Sequence, residues 1–312
     1  MKKTEEAEID CLPPYNFELS VKKPLGYSWL NPTETYHKGE LWTVIQLPIQ
    51  PVGLRLRGKA IDSEPKIHIK AFSEETLTEE EIKEILEDIA RSGETMVDLR
   101  DFYSLGGSDP LMRKAVQDLY GMRCGKSQKI FHELLWGIAN QNAPLRRTKE
   151  MMSLILENYG NRISFDGRDL ISFPTPDVIA GVTEEELKMR CKLGFRARYL
   201  KGIAEAIVSE ECPTMNELMN MSFKDAKETL TQFNGVGEYT AEFSLPHPER
   251  FPIDVWSVKI LWKLLFPTQS MPANVKAIRE AREEAESRWG KWRGYAFIYI
   301  LNSSIRYNKL IY

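Results

Sequence analysis

Residues 231–241 read TQFNGVGEYTA, and residues 251–256 read FPIDVW. Apolar residues at helical spacing lead into the first stretch, and Gly235 and Gly237 then interrupt that pattern. Two glycines around one valine permit positive φ values and the close approach of another backbone. A second helix is expected to begin at Glu238. This order of residues predicts a helix, then a tight hairpin, then a second helix.

The hairpin predicts a site for an anion. A helix that restarts directly after a tight turn presents free backbone N–H groups and the positive end of its dipole. These features suit a phosphate group. The residues expected to contact it are Phe233, Asn234, Gly235, Val236 and Gly237.

Asp254 allows two interpretations. It follows the break at Pro252 and precedes apolar residues at helical spacing, so it is well placed to cap a helix. It is also placed to act as a catalytic carboxylate beside a bound phosphate. The hairpin upstream favours the second interpretation, and one carboxylate can do both.

The order G-V-G, Tyr-Thr-Ala and Phe-Pro-Ile-Asp-Val resembles the helix-hairpin-helix superfamily of DNA base-excision glycosylases. The signature of that superfamily is a hairpin followed by a Gly/Pro-rich stretch and one aspartate. The order and spacing make this match far more specific than a lone G-x-G. The resemblance covers the chain from about residue 17 onward and is strongest between Asn140 and Trp256.

The resemblance implies that Asp254 is catalytic. Breaking an N-glycosidic bond gives the sugar oxocarbenium character, and a fixed carboxylate stabilises that charge and orients or deprotonates water. Tyr239 matches the position where bifunctional 8-oxoguanine enzymes carry a lysine that forms a Schiff base. Since a phenol cannot form an imine, and the 3-methyladenine branch has an aromatic residue there, the resemblance implies a monofunctional enzyme.

Three further residues match DNA contacts of the 8-oxoguanine branch. Asn142 matches the asparagine that fills the gap left by a flipped nucleotide. Arg147 and Arg196 match arginines that contact the orphaned cytosine. The alternatives are a polar helix–helix turn for Asn142 and a solvated basic helix face for Arg196. We expect these residues to contact DNA, without assigning cytosine readout to them.

Aromatic side chains are expected to stack on the extruded base. Our candidates are Tyr239, Trp256 and Tyr27, although for Tyr239 a buried position without substrate contact is the alternative. The stretch Pro24–Tyr27 corresponds only loosely to the loop that reads 8-oxoguanine. We expect no cofactor and no His/Cys metal site, and the resemblance leaves room for a structural cation on the hairpin carbonyls.

Composition limits the class of protein. The chain has 312 residues, of which 42% are hydrophobic and 28% charged, as is usual for soluble globular proteins. Neither a membrane-length apolar run nor a secretory signal is apparent. Four scattered cysteines without a Cys-x-x-Cys pair favour a reducing compartment over a zinc site or disulfide framework. We expect a monomer in the cytoplasm or on the nucleoid, or in a eukaryotic nucleus.

The net charge of −3 argues only weakly against binding to nucleic acid, because the charges are segregated. Residues 74–88 are strongly acidic, whereas residues 188–201 carry six lysines and arginines and no acid. A local basic patch is what meets DNA. Double-stranded DNA with a damaged base is therefore the expected partner.

The pattern along the chain predicts an α+β protein. Alternating, turn-punctuated segments from about residue 17 to residue 72 indicate a small antiparallel sheet. Most of the later sequence has helical spacing. We predict an N-terminal β domain at residues 1–98 and an all-helical, two-subdomain body at residues 99–312, with the helix-hairpin-helix motif at about 222–246.

Three functions remain open from the sequence. The first is a monofunctional glycosylase that removes a damaged purine, either an alkylated base or hypoxanthine. The second is an 8-oxoguanine glycosylase, which Asn142, Arg147 and Arg196 favour and Tyr239 opposes. The third is a non-catalytic DNA-binding or damage-sensing protein, since helix-hairpin-helix units often serve only as phosphate clamps.

Overall fold

The computed structural model describes residues 3–22, 34–255 and 257–306. An antiparallel five-stranded sheet comes first and has the strand order β1-β5-β4-β3-β2. Its strands are β1 Lys3–Asp10, β2 Thr35–His37, β3 Glu40–Gln46, β4 Pro51–Lys59 and β5 Lys66–Ser73. A β-hairpin follows much later, formed by β6 Arg162–Phe165 and β7 Arg168–Ile171.

Helices make up most of the remainder, so the predicted α+β class is confirmed. They are α1 Phe17–Val21, α2 Glu79–Ser92, α3 Arg100–Ser108, α4 Arg113–Asp118, α5 Ile130–Asn140, α6 Leu145–Tyr159, α7 Pro176–Ala180, α8 Glu184–Cys191, α9 Arg196–Val208, α10 Met215–Met219, α11 Phe223–Thr231, α12 Glu238–Ser244, α13 Ser257–Leu265, α14 Asn274–Trp289 and α15 Arg293–Arg306. Within the described ranges, no helix is both long and apolar enough to cross a membrane.

The N-terminal sheet forms because its inward positions are apolar at every second residue. Leu54 lies opposite Ala71 and Leu56 lies opposite Ile69 in the antiparallel register of β4 and β5. Helix α2 packs on this face through Ile85 and its neighbours. A Thr78 capping box with Glu81 begins α2.

The beginning of the chain differs from the prediction. Residues 17–21 are helical rather than extended, because Asn16 accepts a hydrogen bond from Leu19 N at 3.0 Å and starts α1. The strand β1, which precedes them, was not predicted. Its sequence KTEEAEID has few apolar residues, and it is held by backbone pairing with β5 and by ion pairs such as Lys70–Glu6.

The hairpin β6–β7 corrects the expectation of an all-helical body. Asp166 and Gly167 both have positive φ, at 50° and 71°, as a two-residue type I′ turn requires. The hairpin docks on the N-terminal sheet, where Asp166 accepts a hydrogen bond from Trp42 Nε1 at 2.8 Å and pairs with Arg55 at 3.0 Å. Phe165 packs over Gly53, where a Cβ atom would approach its ring to 2.5 Å.

Two apolar cores divide the helical body, as predicted for two subdomains. One core draws its buried residues from 130–245, and the other combines 99–124 with 251–301. After the first core, the chain returns to the second core through residues 246–250. There the buried Arg250 donates to Cys124 O at 2.7 Å and to Leu245 O at 3.4 Å, which ties the crossing segment to both cores. The domain boundary at residue 98 stays a prediction.

Candidate active site

The hairpin between α11 and α12 has the predicted form. Ser222 caps α11 by accepting a hydrogen bond from Asp225 N at 3.2 Å. Gly235 has a φ of +87°, and a Cβ atom at this position would lie 2.2 Å from Cγ of the Tyr199 ring. Both the backbone conformation and the contact therefore require glycine.

Gly237 differs from the prediction. Its φ is −86° and its ψ is 177°, so it is extended and forms the N-cap of α12. A Cβ atom here would meet no atom within 4 Å. The fold thus does not require glycine at 237, and the space in front of this residue is open to an approaching ligand.

The five hairpin residues predicted to contact DNA are not equally exposed. Asn234 and Gly237 are exposed, whereas Phe233 packs on the first core and Val236 is buried at 4% exposure. Val236 N donates to Phe233 O at 3.0 Å and closes the turn. The hairpin is therefore held from inside by its apolar residues, and its outer backbone faces solvent. The DNA contacts themselves stay predictions.

Gln141 connects the end of α5 to the hairpin. Its Nε2 donates to Gly235 O at 2.6 Å and to Thr240 Oγ1 at 3.0 Å. Its own carbonyl accepts a hydrogen bond from Arg196 Nε at 3.1 Å. Sequence analysis missed this role, and a glutamine next to an Asn-Ala-Pro turn carries no distinctive signal for it.

Asn142 stands at the tip of the turn between α5 and α6. It is exposed and has a φ of +48°, in the left-handed region that asparagine tolerates better than most residues. The structure therefore presents Asn142 on the surface, one residue beyond the Gln141 link to the hairpin. Its role as a plug stays a prediction.

The two predicted DNA-contacting arginines have different environments. Arg196 is only 8% exposed and donates to the carbonyls of Gln141 and Leu193. Burial lowers the pKa of its guanidinium, and the neighbouring Arg147 charge adds to this shift. Arg147 lies nearer the surface, where it bonds Glu150 Oε2 and the carbonyl of Lys192, each at 2.7 Å. In this conformation Arg196 supports the turn that carries Asn142.

Asp254 is held by a reciprocal cap at the start of α13. Its Oδ1 accepts hydrogen bonds from Ser257 N at 2.6 Å and from Ser257 Oγ at 2.8 Å. Its own backbone N–H donates to Ser257 Oγ at 2.9 Å. The capping interpretation is thus correct, and it fixes the carboxylate in one orientation, shortly after the segment that joins the two cores. Catalysis by Asp254 is not tested by this geometry.

Tyr239 is half-buried on the first turn of α12 and packs on the first core. Its ring stacks on Phe243 with a centroid distance of 6.1 Å. Tyr27 and Trp256, the other two predicted pocket residues, lie outside the described residues. The aromatic residues of α15 belong to the second core, where Tyr295 and Tyr299 pack against Phe102.

Comparison with known proteins gives clear relatives. The chain is 30% identical over 214 residues to a DNA-3-methyladenine glycosylase of Bacillus subtilis (strain 168), in an alignment that spans 65% of this chain and 66% of that protein. It is 25% identical over 231 residues to a probable N-glycosylase/DNA lyase of Methanothermobacter thermautotrophicus, covering 67% of this chain and 71% of the relative. No family model matches the chain.

The fold agrees with these relatives. A 3-methyladenine DNA glycosylase from Archaeoglobus fulgidus superposes with a TM-score of 0.77 and 22% identity, over 98% of this chain and all of that one. This likeness includes the N-terminal sheet as well as the helical body.

The chain is a homologue of the helix-hairpin-helix DNA glycosylases. The alignment with the Bacillus protein spans just under two thirds of that protein's length. This homology agrees with the hairpin geometry and with the position of Asp254 after it.

The positions of the lysine side chains bear on the reaction type, because Schiff-base chemistry needs an amine. Lys201 donates to Ala180 O at 2.6 Å, and Lys224 pairs with Glu228 at 3.8 Å on the outer side of α11. Lys126, which sequence analysis did not single out, is buried and pairs with Glu133. Its Nζ lies 3.7 Å from the centroid of the Phe243 ring on which Tyr239 stacks. A lone lysine in an irregular segment gave no signal for this position.

Two backbone carbonyls of the hairpin, which the resemblance suggests as cation ligands, already accept hydrogen bonds. Gly235 O already accepts from Gln141, and Phe233 O accepts from Val236 N. Among the described residues there is no group of three or more His, Cys, Asp or Glu side chains that could hold a metal. A carbonyl oxygen has two lone pairs, so these hydrogen bonds do not decide whether the hairpin carbonyls hold a cation, and the structural cation stays a prediction.

Proposed function

We propose that the chain is a DNA glycosylase that removes a damaged purine, an alkylated base or hypoxanthine, and leaves the DNA backbone intact. The observation that carries this proposal is the Asp254 carboxylate, which Ser257 fixes where the chain enters the second core, shortly after the hairpin. The name of the Bacillus subtilis relative, DNA-3-methyladenine glycosylase, supports the same reaction.

In this proposal the hairpin binds the DNA backbone. Backbone N–H groups that contact phosphates position a protein on the duplex without reading its sequence. The exposed Gly237 and the open space before it allow a phosphate to approach the backbone closely. Because Gln141 holds Gly235 from behind, the hairpin does not have to become ordered when DNA binds.

The next step is extrusion of the damaged nucleotide. Unstacking and unpairing one nucleotide costs a few kcal/mol, which a side chain that fills the gap helps to offset. The exposed Asn142 on its left-handed turn is our candidate for that side chain. Its neighbour Gln141 fixes the distance between this plug and the phosphate-binding hairpin.

Asp254 then acts on the sugar. As the N-glycosidic bond breaks, positive charge develops on the deoxyribose ring, and a preoriented carboxylate stabilises it. The same carboxylate can orient or deprotonate the water that completes the hydrolysis. Ser257 contributes by holding Oδ1, so little reorganisation of the carboxylate is needed during the reaction.

The base pocket is assigned to aromatic side chains. Tyr239 lies on α12, directly after the hairpin, and stacks on Phe243. Purines alkylated at N3 or N7 carry a positive charge while the glycosidic bond is intact, and aromatic faces attract cations in addition to stacking. Trp256 and Tyr27 remain candidates for the same pocket.

Tyr239 also supports hydrolysis without strand cleavage. A lyase step by Schiff-base chemistry needs an amine at the sugar, and a phenol cannot provide one. The Methanothermobacter relative is named an N-glycosylase/DNA lyase, so the reaction type has to be tested directly. We expect the protein to act as a monomer where the DNA is, in the cytoplasm or in a nucleus.

Two alternatives remain. An 8-oxoguanine glycosylase is favoured by Asn142 on its exposed turn and by Arg147 near the surface. A non-catalytic DNA-binding protein would use the hairpin alone and would not need a fixed Asp254.

A panel of duplexes tests the proposal. Each carries one lesion, 3-methyladenine, 7-methylguanine, hypoxanthine or 8-oxoguanine, and is assayed for free base and for strand breaks before and after alkali. We expect release of an alkylated base or hypoxanthine, with breaks only after alkali. Release of 8-oxoguanine alone would identify an 8-oxoguanine glycosylase. Binding without release of any base would identify a non-catalytic DNA-binding protein.

A further inference from the structure

The basic stretch at residues 188–201 is largely neutralised in the folded protein. Four of its cations pair with carboxylates on the same surface: Lys188 with Glu184 at 2.6 Å, Arg190 with Glu186 at 3.1 Å, Lys192 with Glu150 at 2.8 Å and Lys201 with Glu205 at 3.0 Å. A fifth, Arg196, is buried on backbone carbonyls. The basic patch expected from the sequence is therefore much weaker than its count of charges indicates.

Arg198 differs from these five residues in its hydrogen-bond partner. It is exposed, its Nη2 donates to the Tyr199 hydroxyl at 2.7 Å, and its Cζ lies 4.6 Å from the centroid of the Tyr199 ring. The hydroxyl is uncharged, so this bond does not offset the positive charge of the guanidinium as a carboxylate partner would. The Glu184 carboxylate, which also acts electrostatically on Arg198, already forms an ion pair with Lys188.

The tyrosine places this charge beside the hairpin. The Tyr199 ring packs directly on the backbone of Gly235, close enough that a Cβ atom there would lie 2.2 to 2.6 Å from three of its side-chain atoms. One ring thus supports both the turn of the hairpin and the guanidinium of Arg198. Since a guanidinium has five N–H donors, the bond to Tyr199 leaves others for a ligand.

We propose that Arg198 binds a backbone phosphate of the DNA next to the hairpin, with the Tyr199 ring as its platform. A guanidinium matches the geometry of phosphate oxygens and can bond two of them at once. Stacking on Tyr199 orients the planar group before DNA arrives, so less side-chain freedom is lost on binding. This inference rests on the proposed function, because it requires duplex DNA on the hairpin face.

The salt dependence of binding tests the inference. Each phosphate neutralised by a cationic side chain adds about 0.9 to the slope of log K against log salt concentration. In full-length Arg198→Ala, binding to an undamaged duplex should lose about one unit of slope and about tenfold in affinity near ~0.1 M salt. Arg198→Lys should retain most of the slope, because the charge remains.

Arg190→Ala is the matched control, since it removes an exposed arginine of the same segment that is already paired with Glu186. Its slope should equal that of the wild type, and fluorescence anisotropy measures all four proteins. Equal slopes for Arg198→Ala and the wild type would overturn the inference, as would equal losses in both alanine variants. If the wild type releases no base from any lesion duplex, the proposed function fails instead, independently of these slopes.

Discussion

At the scale of single residues, the two hairpin glycines have separate roles. Gly235 adopts a positive φ against the Tyr199 ring, whereas Gly237 is extended with open space in front of it. From the sequence both were expected to have positive φ. The structure instead assigns one glycine to the fold and leaves the other to face a ligand.

Replacing each of these two glycines with alanine should distinguish an effect on protein stability from an effect on DNA affinity. Gly235→Ala should destabilise the protein by about 2 to 4 kcal/mol, because it combines an unfavourable φ with a clash against a ring. Gly237→Ala should melt like the wild type but bind every duplex more weakly, damaged or not, because its methyl group occupies the approach to the backbone. Thermal melts and anisotropy titrations measure the two effects. Wild-type affinity in Gly237→Ala would exclude close approach of a phosphate there.

The tyrosine at position 239 leads us to predict base release without a lyase step. Incubation with lesion DNA and borohydride should trap no covalent complex, because trapping needs an imine and an imine needs an amine at the sugar carbon. A reactive lysine displaced from the position of Tyr239 would lose much of the rate advantage of proximity. The lysines to examine in any adduct are Lys126, Lys201, Lys224 and Lys259. An adduct on any of them would replace the monofunctional assignment with a lyase.

At the scale of elements, the orientation of α12 depends on a buried carboxylate. Glu242 is 1% exposed and lies on this short helix, between the hairpin and the C-terminal helices. It accepts two hydrogen bonds from Arg282 of α14, at 2.9 and 3.0 Å, and pairs with Lys227 of α11 at 3.4 Å. Three helices are thereby fixed relative to one another, and with them the positions of Tyr239 and the hairpin.

Glu242→Gln should therefore lower the free energy of unfolding by about 2 to 3 kcal/mol. The expected loss lies at or below the low end of the usual range of about 3 to 5 kcal/mol for breaking a buried ion pair, because Lys227 and Arg282 are partly exposed and regain water. Chemical denaturation measures it. Glu228→Gln, which breaks the exposed pair with Lys224, is the control and should have little effect. Equal stability of Glu242→Gln and the wild type would show that the buried pair does not hold α12.

Helices and strands were predicted correctly where the local sequence pattern agreed with the tertiary structure. The cap at Ser222, the break at Gly235 and the restart at Glu238 are all found as expected. The hairpin β6–β7 was missed although its Asp-Gly turn is a strong signal, because two four-residue strands are short beside the helical patterns around them. The strand β1 had no apolar alternation to reveal it, since it is an edge strand stabilised by pairing with β5.

At the scale of the whole molecule, the candidate site lies where the two helical cores meet. The first core ends with α12 at Leu245, and the second resumes at Phe251, so Asp254 follows directly after the crossing. Arg250 bonds carbonyls of both cores and keeps this segment in place. The boundary between two packed units is a common location for a substrate site.

This arrangement explains why the sequence predicted the cap at Asp254 better than the packing around it. Motif spacing identifies residues that a local turn positions, such as Asp254 in its cap with Ser257. It cannot show that Arg196 is buried on carbonyls or that Lys126 lies against Phe243. Those facts depend on how elements distant in the sequence pack together.

The most direct test of the central claim is single-turnover base release by Asp254→Asn on the lesion duplex that the wild type processes. The amide keeps the shape of the side chain and remains a good helix cap, so the fold and duplex affinity should be retained. Without the negative charge the sugar cation is not stabilised, and we expect the rate of release to fall by at least about a hundredfold. A rate close to that of the wild type, at unchanged affinity, would contradict the account.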